Sequence, residues 1–251
     1  MKTKIYEDLA DLFSLWRDTT LGQKRHEKKE VDFIEDVFKA HSGKIKSVID
    51  LGGGVGLHAG LLLKRGYDVT LFDQSKKALA IAKKNYPKLK IVQGSFEKIN
   101  LNKKYDAAVC MWSTLSYVLS EKGRQNFYRW QKDYVRELII LDEANFYRYP
   151  QKFYKEYLGE NDKYKLKVSR RWVLKNNLKK TQFVYEIYDK KTGKTKIVKD
   201  AENEQYVTLA QMQKYLGADW SLKYLRGGYS LKGSYDQKDS SRIIAVFTAK
   251  K

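Results

Sequence analysis

The 251-residue chain predicts an α/β fold, doubly wound around a mostly parallel sheet. Three observations carry that expectation. Between residues 46 and 145, short apolar runs alternate with stretches of helical spacing. The first run, Val48-Ile49-Asp50-Leu51, leads straight into Gly52-Gly53-Gly54-Val55-Gly56 and then an apolar helix. The second, Asp68-Val69-Thr70-Leu71-Phe72-Asp73, ends in a carboxylate. Glycines at 52, 54 and 56 let the backbone turn tightly and pass close to a ligand with no Cβ between them. An acid one strand later is placed to accept hydrogen bonds from ribose hydroxyls. Loop and acid together describe a nucleoside site.

The elements follow in order. Residues 6–17 place Leu9, Leu12, Phe13 and Trp16 at helical spacing, and residues 27–40 do the same with Val31, Ile34, Val37 and Phe38. Between them, Thr19-Thr20-Leu21-Gly22-Gln23 reads as a loop able to move. Strands at 48–51, 68–73, 89–94, 105–111 and 135–142 are separated by helices at 57–65, 75–85 and about 120–133, the signature of βαβ units. After Pro150 the character changes to β-rich stretches at 165–174, 181–188 and 195–198, with turns at Lys175-Asn176-Asn177 and 189–194. This antiparallel excursion is expected to cover one edge of the site. Thr208 to Gly217 starts at a capping threonine and stops at glycine, so it reads as a helix. Two last strands, 220–225 and 242–249, form a hairpin that completes seven strands. The chain is read as one catalytic domain: a helical lid at 1–44, a core at 45–147 and 208–251, and an antiparallel insertion at 148–207.

The loop's spacing narrows its ligand. A dinucleotide fingerprint starting at Gly52 would need a third glycine at position 57, which is Leu57. A phosphate loop would need Gly-Lys-Ser/Thr after the turn, and no lysine follows until Lys64. Asp50 would repel a phosphate but suits a ligand carrying an ammonium group. A zwitterionic amino acid joined to a nucleoside satisfies both acids.

Here the chain resembles the class I S-adenosylmethionine-dependent methyltransferases, whose first motif is similar to residues 48–56. The resemblance implies a Rossmann-like methyltransferase sheet and S-adenosyl-L-methionine as cofactor. It implies that Asp50, Gly52, Gly53, Gly54 and Gly56 cradle the donor, with His58 as a cofactor-side or helix-cap group. Asp73 matches the acid that holds the ribose, with Gln74 beside the adenine. Ser95 and Phe96 follow the third strand where the family lines the adenine pocket; many members carry aspartate where Ser95 stands. Met111 and Trp112, at the end of the fourth strand, face the donor methyl.

The acceptor is read from Met111-Trp112-Ser113-Thr114-Leu115-Ser116-Tyr117. Enzymes that methylate base amines carry an Asn/Asp-Pro-Pro-aromatic tetrad here, and this segment has no proline. Cytosine C5 methylation needs a catalytic thiolate, but Cys110 is the only cysteine and lies in an apolar strand, where it reads as a small core residue. The segment resembles the small-molecule N-methyltransferases, among them the amino-sugar N,N-dimethyltransferases and glycine N-methyltransferase. Tyr117 stands where the sugar enzymes carry a histidine assigned as proton acceptor. A tyrosine, with an ordinary pKa of about 10, orients an amine better than it deprotonates one near neutral pH. The resemblance makes Asn145, in Asp142-Glu143-Ala144-Asn145-Phe146-Tyr147, a substrate-orienting residue and Tyr6 a side chain that closes over the donor methyl. The alternative for both tyrosines is ordinary packing. Methyl transfer from a sulfonium needs no metal, and no metal site is expected.

Composition bounds the rest. Hydrophobic residues at 42% and aromatics at 14% fit a compact enzyme, and one cysteine fits a reducing cytoplasm. No apolar run approaches membrane-spanning length, so no membrane partner is expected. The formal charge of +20 makes nucleic acid a possible partner, but lysines are scattered among acids and a solvated lysine coat is the favoured reading. The densest basic stretch, 151–200, holds 15 Lys and Arg against 6 Asp and Glu. A small-molecule acceptor is the expected substrate. Methylation of RNA or protein through the basic surface, or cofactor binding without turnover, are the alternatives.

Overall fold

The computed structural model describes residues 4–20, 27–41 and 44–250, leaving aside the side chain of Tyr6. The chain divides into two compact units, one of residues 27–148 and 205–251, the other of 1–26 and 149–204.

The larger unit carries a seven-stranded sheet. Its strands are β1 (Ser47–Leu51), β2 (Asp68–Asp73), β3 (Lys90–Gln93), β4 (Tyr105–Cys110), β5 (Val135–Ala144), β10 (Trp220–Arg226) and β11 (Arg242–Ala249). They lie in the order β10-β11-β5-β4-β1-β2-β3. The first five pair in parallel, and β11 enters antiparallel between β5 and β10. The central strands are covered on both faces, which is why they read as unbroken apolar runs. On one face, helices α5 (Glu121–Tyr134) and α6 (Leu209–Leu216) bury Phe127, Tyr128, Trp130, Met212 and Leu216 against Ile49, Ile139 and Phe247. On the other, α2 (Glu27–Lys39), α3 (Leu57–Lys64) and α4 (Lys76–Asn85) bury Val31, Ile34, Ala59, Leu62 and Leu79 against Val48, Val69 and Ile140. The sheet is doubly wound, as the alternation of elements predicts.

Helix starts follow their side chains. The hydroxyls of Ser75 and Ser120 accept from the N–H groups of Ala78 and Gly123 at 3.1 and 3.0 Å. Thr208 forms a reciprocal capping box with Gln211, and Gly217 ends α6 with φ +70°. Thr208→Ala removes that box and is expected to cost about 1 kcal/mol, read as a lower urea midpoint at unchanged slope. Helix α5 passes into β5 at Val135 with no intervening loop.

The smaller unit is an antiparallel sheet in the order β6-β7-β8-β9, built from Lys152–Glu160, Tyr164–Lys175, Leu178–Asp189 and Thr195–Gln205. The β7–β8 hairpin closes on Asn176 and Asn177, both left-handed (φ +51° and +60°), the conformation a two-residue hairpin turn demands. Helix α1 (Phe13–Thr20) lies on β6 so closely that a Cβ at Gly159 would meet Thr19 Oγ1 at 1.9 Å.

Three sequence expectations need correction. The strand Lys152–Glu160 is absent from the sequence reading, and the strand starting at Thr195 runs on to Gln205. Residues 6–17 do not form one helix: 3-10 turns at Lys4–Tyr6 and Ala10–Leu12 precede α1. Leu9, Ala10, Leu12 and Phe13 are all buried there, a wider apolar surface than one helical stripe supplies, and Leu12 N–H bonds Leu9 O at 2.8 Å in the tighter pattern. Thr19 and Thr20, read as loop, end α1, with the Thr20 hydroxyl donating to Trp16 O at 2.8 Å; Leu21, Gly22 and Gln23 lie outside the described residues. Among the described residues no helix is long and apolar enough to cross a membrane.

Candidate functional site

The loops that follow β1, β2, β3 and β4 gather at the C-terminal edge of the sheet, where an open parallel sheet holds its ligands. Gly52 leaves β1 at φ +73° and donates its N–H to Phe72 O at 2.7 Å. A Cβ on Gly52 would stand 2.2 Å from Thr114 Cγ2 and 3.1 Å from Phe96 Cζ. Glycine here is therefore demanded twice, by the backbone angle and by the approach of two other loops. At Gly53 a Cβ would fall 2.3 Å from Asp50 Oδ2. At Gly54, with φ +55°, it would meet nothing within 4 Å.

Two acids flank the glycines. Asp73 accepts the Gly54 N–H on Oδ2 at 2.9 Å and the Ser75 N–H on Oδ1 at 2.7 Å, which locks its carboxylate to the loop while each oxygen keeps further lone pairs. Asp50 is buried; its Oδ2 accepts the Ala59 N–H at 3.2 Å and its Oδ1 has no hydrogen-bond partner. Burial pushes the Asp50 carboxyl up to about 6, against the lowering influence of His58 and the Ala59 N–H and with a further upward push from Asp73.

His58, in the first turn of α3, is buried and puts Nε2 2.6 Å from Glu30 Oε2 on α2. The Trp112 indole N–H donates to that same oxygen at 2.7 Å, and the His58 and Trp112 rings meet edge-on at 5.2 Å. Burial works against a charge on His58, but the Glu30 hydrogen bond and the Asp50 and Glu30 charges outweigh it, so the imidazole holds its proton above the ordinary value.

After β4 the backbone turns left-handed at two successive non-glycine residues, Trp112 (φ +59°) and Ser113 (φ +61°). Such residues persist only where their surroundings hold them. Here Asp142, buried at the end of β5, accepts the Trp112 N–H at 2.9 Å, the Tyr229 hydroxyl at 2.9 Å and Arg242 Nε at 2.7 Å. Its carbonyl accepts the Ser113 N–H at 2.8 Å, and Ser113 Oγ accepts the Ala144 N–H at 2.7 Å. The turn is fixed from β5, β11 and the segment between β10 and β11.

Residues 48–136 match the family described as methyltransferase domain. A glycine/sarcosine N-methyltransferase of Parasynechococcus marenigrum is 27% identical over 152 residues, 57% of this chain and 52% of that protein. A dTDP-3-amino-3,4,6-trideoxy-alpha-D-glucopyranose N,N-dimethyltransferase of Streptomyces venezuelae is 28% identical over 115 residues, 45% of this chain and 47% of that one. The chain spans about half the length of the curated relatives it matches. In fold, an S-adenosylmethionine-dependent methyltransferase of Clostridium acetobutylicum superposes with a TM-score of 0.81 at 17% identity, covering 97% of this chain and all of that one.

Within and beside residues 48–136, the sequence-derived residues divide. The glycines, Asp50, His58, Asp73, Phe96 and Trp112 come together around the loop. Phe96 stacks on Phe72 at 5.9 Å and leans on Phe127 at 4.7 Å, making an apolar wall beside Gly52. Ser95 caps the 3-10 turn Phe96–Lys98, and Gln74 is exposed. Met111 is buried in the core, and its carbonyl accepts the Thr114 hydroxyl at 2.8 Å. Tyr117 is half-buried in the 3-10 turn Thr114–Tyr117. Cys110 is buried, and burial pushes its thiol well up, ahead of the Glu143, Asp50 and Asp142 charges, so the core-residue reading fits it. Tyr6 belongs to the other compact unit and its side chain lies outside the described residues.

Asn145 does something the sequence did not suggest. Its amide N–H groups donate to Gln237 O and Ser240 O, both at 2.8 Å, so the side chain ties down the segment before β11. Glu30, Tyr229 and Arg242 were not singled out in the sequence, and Ser113, Thr114 and Asp142 were given no role of their own. Two carried a signal. Glu30 lies on the apolar stripe of Ile34, Val37 and Phe38, and Asp142 is an acid close to the C-terminal end of an apolar strand, as Asp73 is.

Proposed function

We propose that this protein is an S-adenosylmethionine-dependent methyltransferase that methylates the nitrogen of a small amine by in-line transfer. The observation that carries the reading is the pair of acids on the glycine loop: Asp50, with a buried oxygen lacking a partner, and Asp73, locked to Gly54. These groups suit an ammonium group at Asp50 and ribose hydroxyls at Asp73, and both repel a polyphosphate. The cofactor supplies an electrophilic methyl group on a sulfonium sulfur. Asp50 binds its ammonium, Asp73 its ribose, and Phe96 with Phe72 offers the adenine an apolar wall. The backbone turn at Trp112 and Ser113 holds the rim of the site rigid, which favours in-line displacement because alignment is most of the catalytic task.

An amine acceptor is supported by the names of the two relatives, both N-methyltransferases. Tyr117 orients the acceptor amine by hydrogen bonding. Asn145 acts through the segment it anchors, as a positioning residue.

Calorimetric titration with S-adenosylhomocysteine tests the base of the proposal; absence of binding would sink it. Asp73→Ala is expected to weaken that binding by about 10- to 100-fold, the value of hydrogen bonds to a charged acceptor. Mass spectrometry of glycine, sarcosine and amino-sugar nucleotides incubated with the enzyme and labelled donor then tests the acceptor class. Label in none of them would overturn the small-amine reading and leave donor binding standing.

A further inference from the structure

The methyltransferase reading does not explain the burial of Glu30. Glu30 sits on α2, outside the matched domain, in the apolar layer between Val31, Ile34 and the sheet, and is only 3% exposed. A carboxylate in that layer is costly unless its partners compensate. Two N–H groups converge on its Oε2, from His58 at 2.6 Å and Trp112 at 2.7 Å, so it acts as an acceptor and His58 Nε2 carries a proton toward it. The residue after His58, Ala59, donates its N–H to Asp50, whose Oδ1 lacks a partner. Glu30, His58 and Asp50 thus form a row of alternating sign in a water-poor layer, ending at the glycine loop.

We propose that Glu30 is a positioning residue for the amino-acid end of the donor: through His58 it keeps the Asp50 carboxylate ionised and held for the ligand's ammonium group. This rests on the reading of the loop as a donor site. The physical chain has three steps. Burial disfavours charge on both His58 and Asp50. Glu30 restores the charge on His58, and that charge restores the one on Asp50. Remove the first and the other two neutralise together, since coupled groups titrate as a set. Among the described residues, the other charged groups that bear on His58 and Asp50 are Asp142, near His58 and itself paired with Arg242, and Asp73, near Asp50. Neither replaces Glu30, because Asp142 is engaged by Arg242 and Asp73 raises rather than lowers the Asp50 pKa.

The sign follows from an Asp50 carboxyl that titrates at about 6. Above that pH Asp50 is ionised and binds an ammonium; as pH falls through it, the partner is lost. In Glu30→Gln the amide oxygen still accepts the Trp112 N–H and the volume is kept, but the charge is gone. Affinity for S-adenosylhomocysteine, measured by calorimetry from pH 5 to 8.5, is expected to fall on acidification from a midpoint about one pH unit higher than in the wild type. The variant should bind about twofold more weakly at pH 7, approach tenfold weaker by pH 5, and match the wild type by pH 8.5. Binding of 5′-methylthioadenosine, which lacks the ammonium and carboxylate, should be the same in both proteins at every pH. His58→Gln should reproduce the shift, which keeps the test available if one variant does not fold. An unshifted midpoint, or equal weakening of both ligands, overturns the proposal and marks Glu30 as a packing residue. If the wild type binds neither ligand, the donor-site reading itself is wrong and this inference falls with it.

Discussion

Asp142→Ala is expected to destabilise the larger unit by about 3–5 kcal/mol, the usual consequence of removing one member of a buried ion pair. The substituted side chain is fully buried and its partner Arg242 is 13% exposed, so the guanidinium cannot recover its lost partner from solvent. The Trp112 N–H and the Tyr229 hydroxyl lose their acceptor in the same change. Each group left unsatisfied adds to the cost, because desolvation is no longer offset. A third effect concerns the backbone: Trp112 and Ser113 occupy left-handed conformations that cost about 1–2 kcal/mol each, and Asp142 is among the groups that hold them there. Part of the loss should therefore be returned as the turn relaxes, which moves Thr114 off Gly52. Urea unfolding should report the stability change, and calorimetry should show donor-product binding reduced at least tenfold. Asp142→Asn keeps an acceptor for one N–H but not the charge, and should fall between the wild type and the alanine variant. A stability change under 1 kcal/mol in Asp142→Ala would mean that the turn is held by other contacts.

What the sequence disclosed and what it withheld differ in range along the chain. The glycine loop and Asp73 were legible because their signal is local: a turn, its angles and the acid one strand later lie within 22 residues of one another. Thr208, Gln211 and Gly217 were legible for the same reason, since a cap and a stop act on adjacent backbone groups. Asp142 and Arg242 stand 100 residues apart, and only the antiparallel insertion of β11 beside β5 brings them into contact. No periodicity reports that pairing. Lys152–Glu160 was missed because Lys155 interrupts the alternation of Phe153 and Tyr157, as suits an edge strand bonded on one side only. Asn145 was legible as a special residue, but its anchoring of the segment before β11 was not. An amide just past the fifth strand fits a substrate or a loop equally well until its two carbonyl partners, more than 90 residues away, are in view.

Gly52→Ala should be more damaging than the same methyl group added at Gly54. Two costs act at once. A Cβ at φ +73° carries about 1–2 kcal/mol of backbone strain. It also lands 2.2 Å from Thr114 Cγ2, and moving that methyl in a packed turn costs roughly a further 1–3 kcal/mol. Gly54→Ala separates the two, because φ there is +55° while a Cβ meets nothing within 4 Å, so only the strain remains. The expected order of thermal stability is wild type, then Gly54→Ala, then Gly52→Ala. Donor-product affinity need not follow that order: the open side of Gly54 is where a methyl group would obstruct a ligand, so Gly54→Ala should lose binding with little loss of stability. The clash can be relieved from the other side. Thr114→Ala removes Cγ2, and the double variant Gly52→Ala/Thr114→Ala should recover part of the stability lost by Gly52→Ala, giving a coupling energy of about 1 kcal/mol or more between two contacting sites. Strict additivity in that cycle would show that the strained angle, and not the approach of the loop after β4, is what reserves position 52 for glycine.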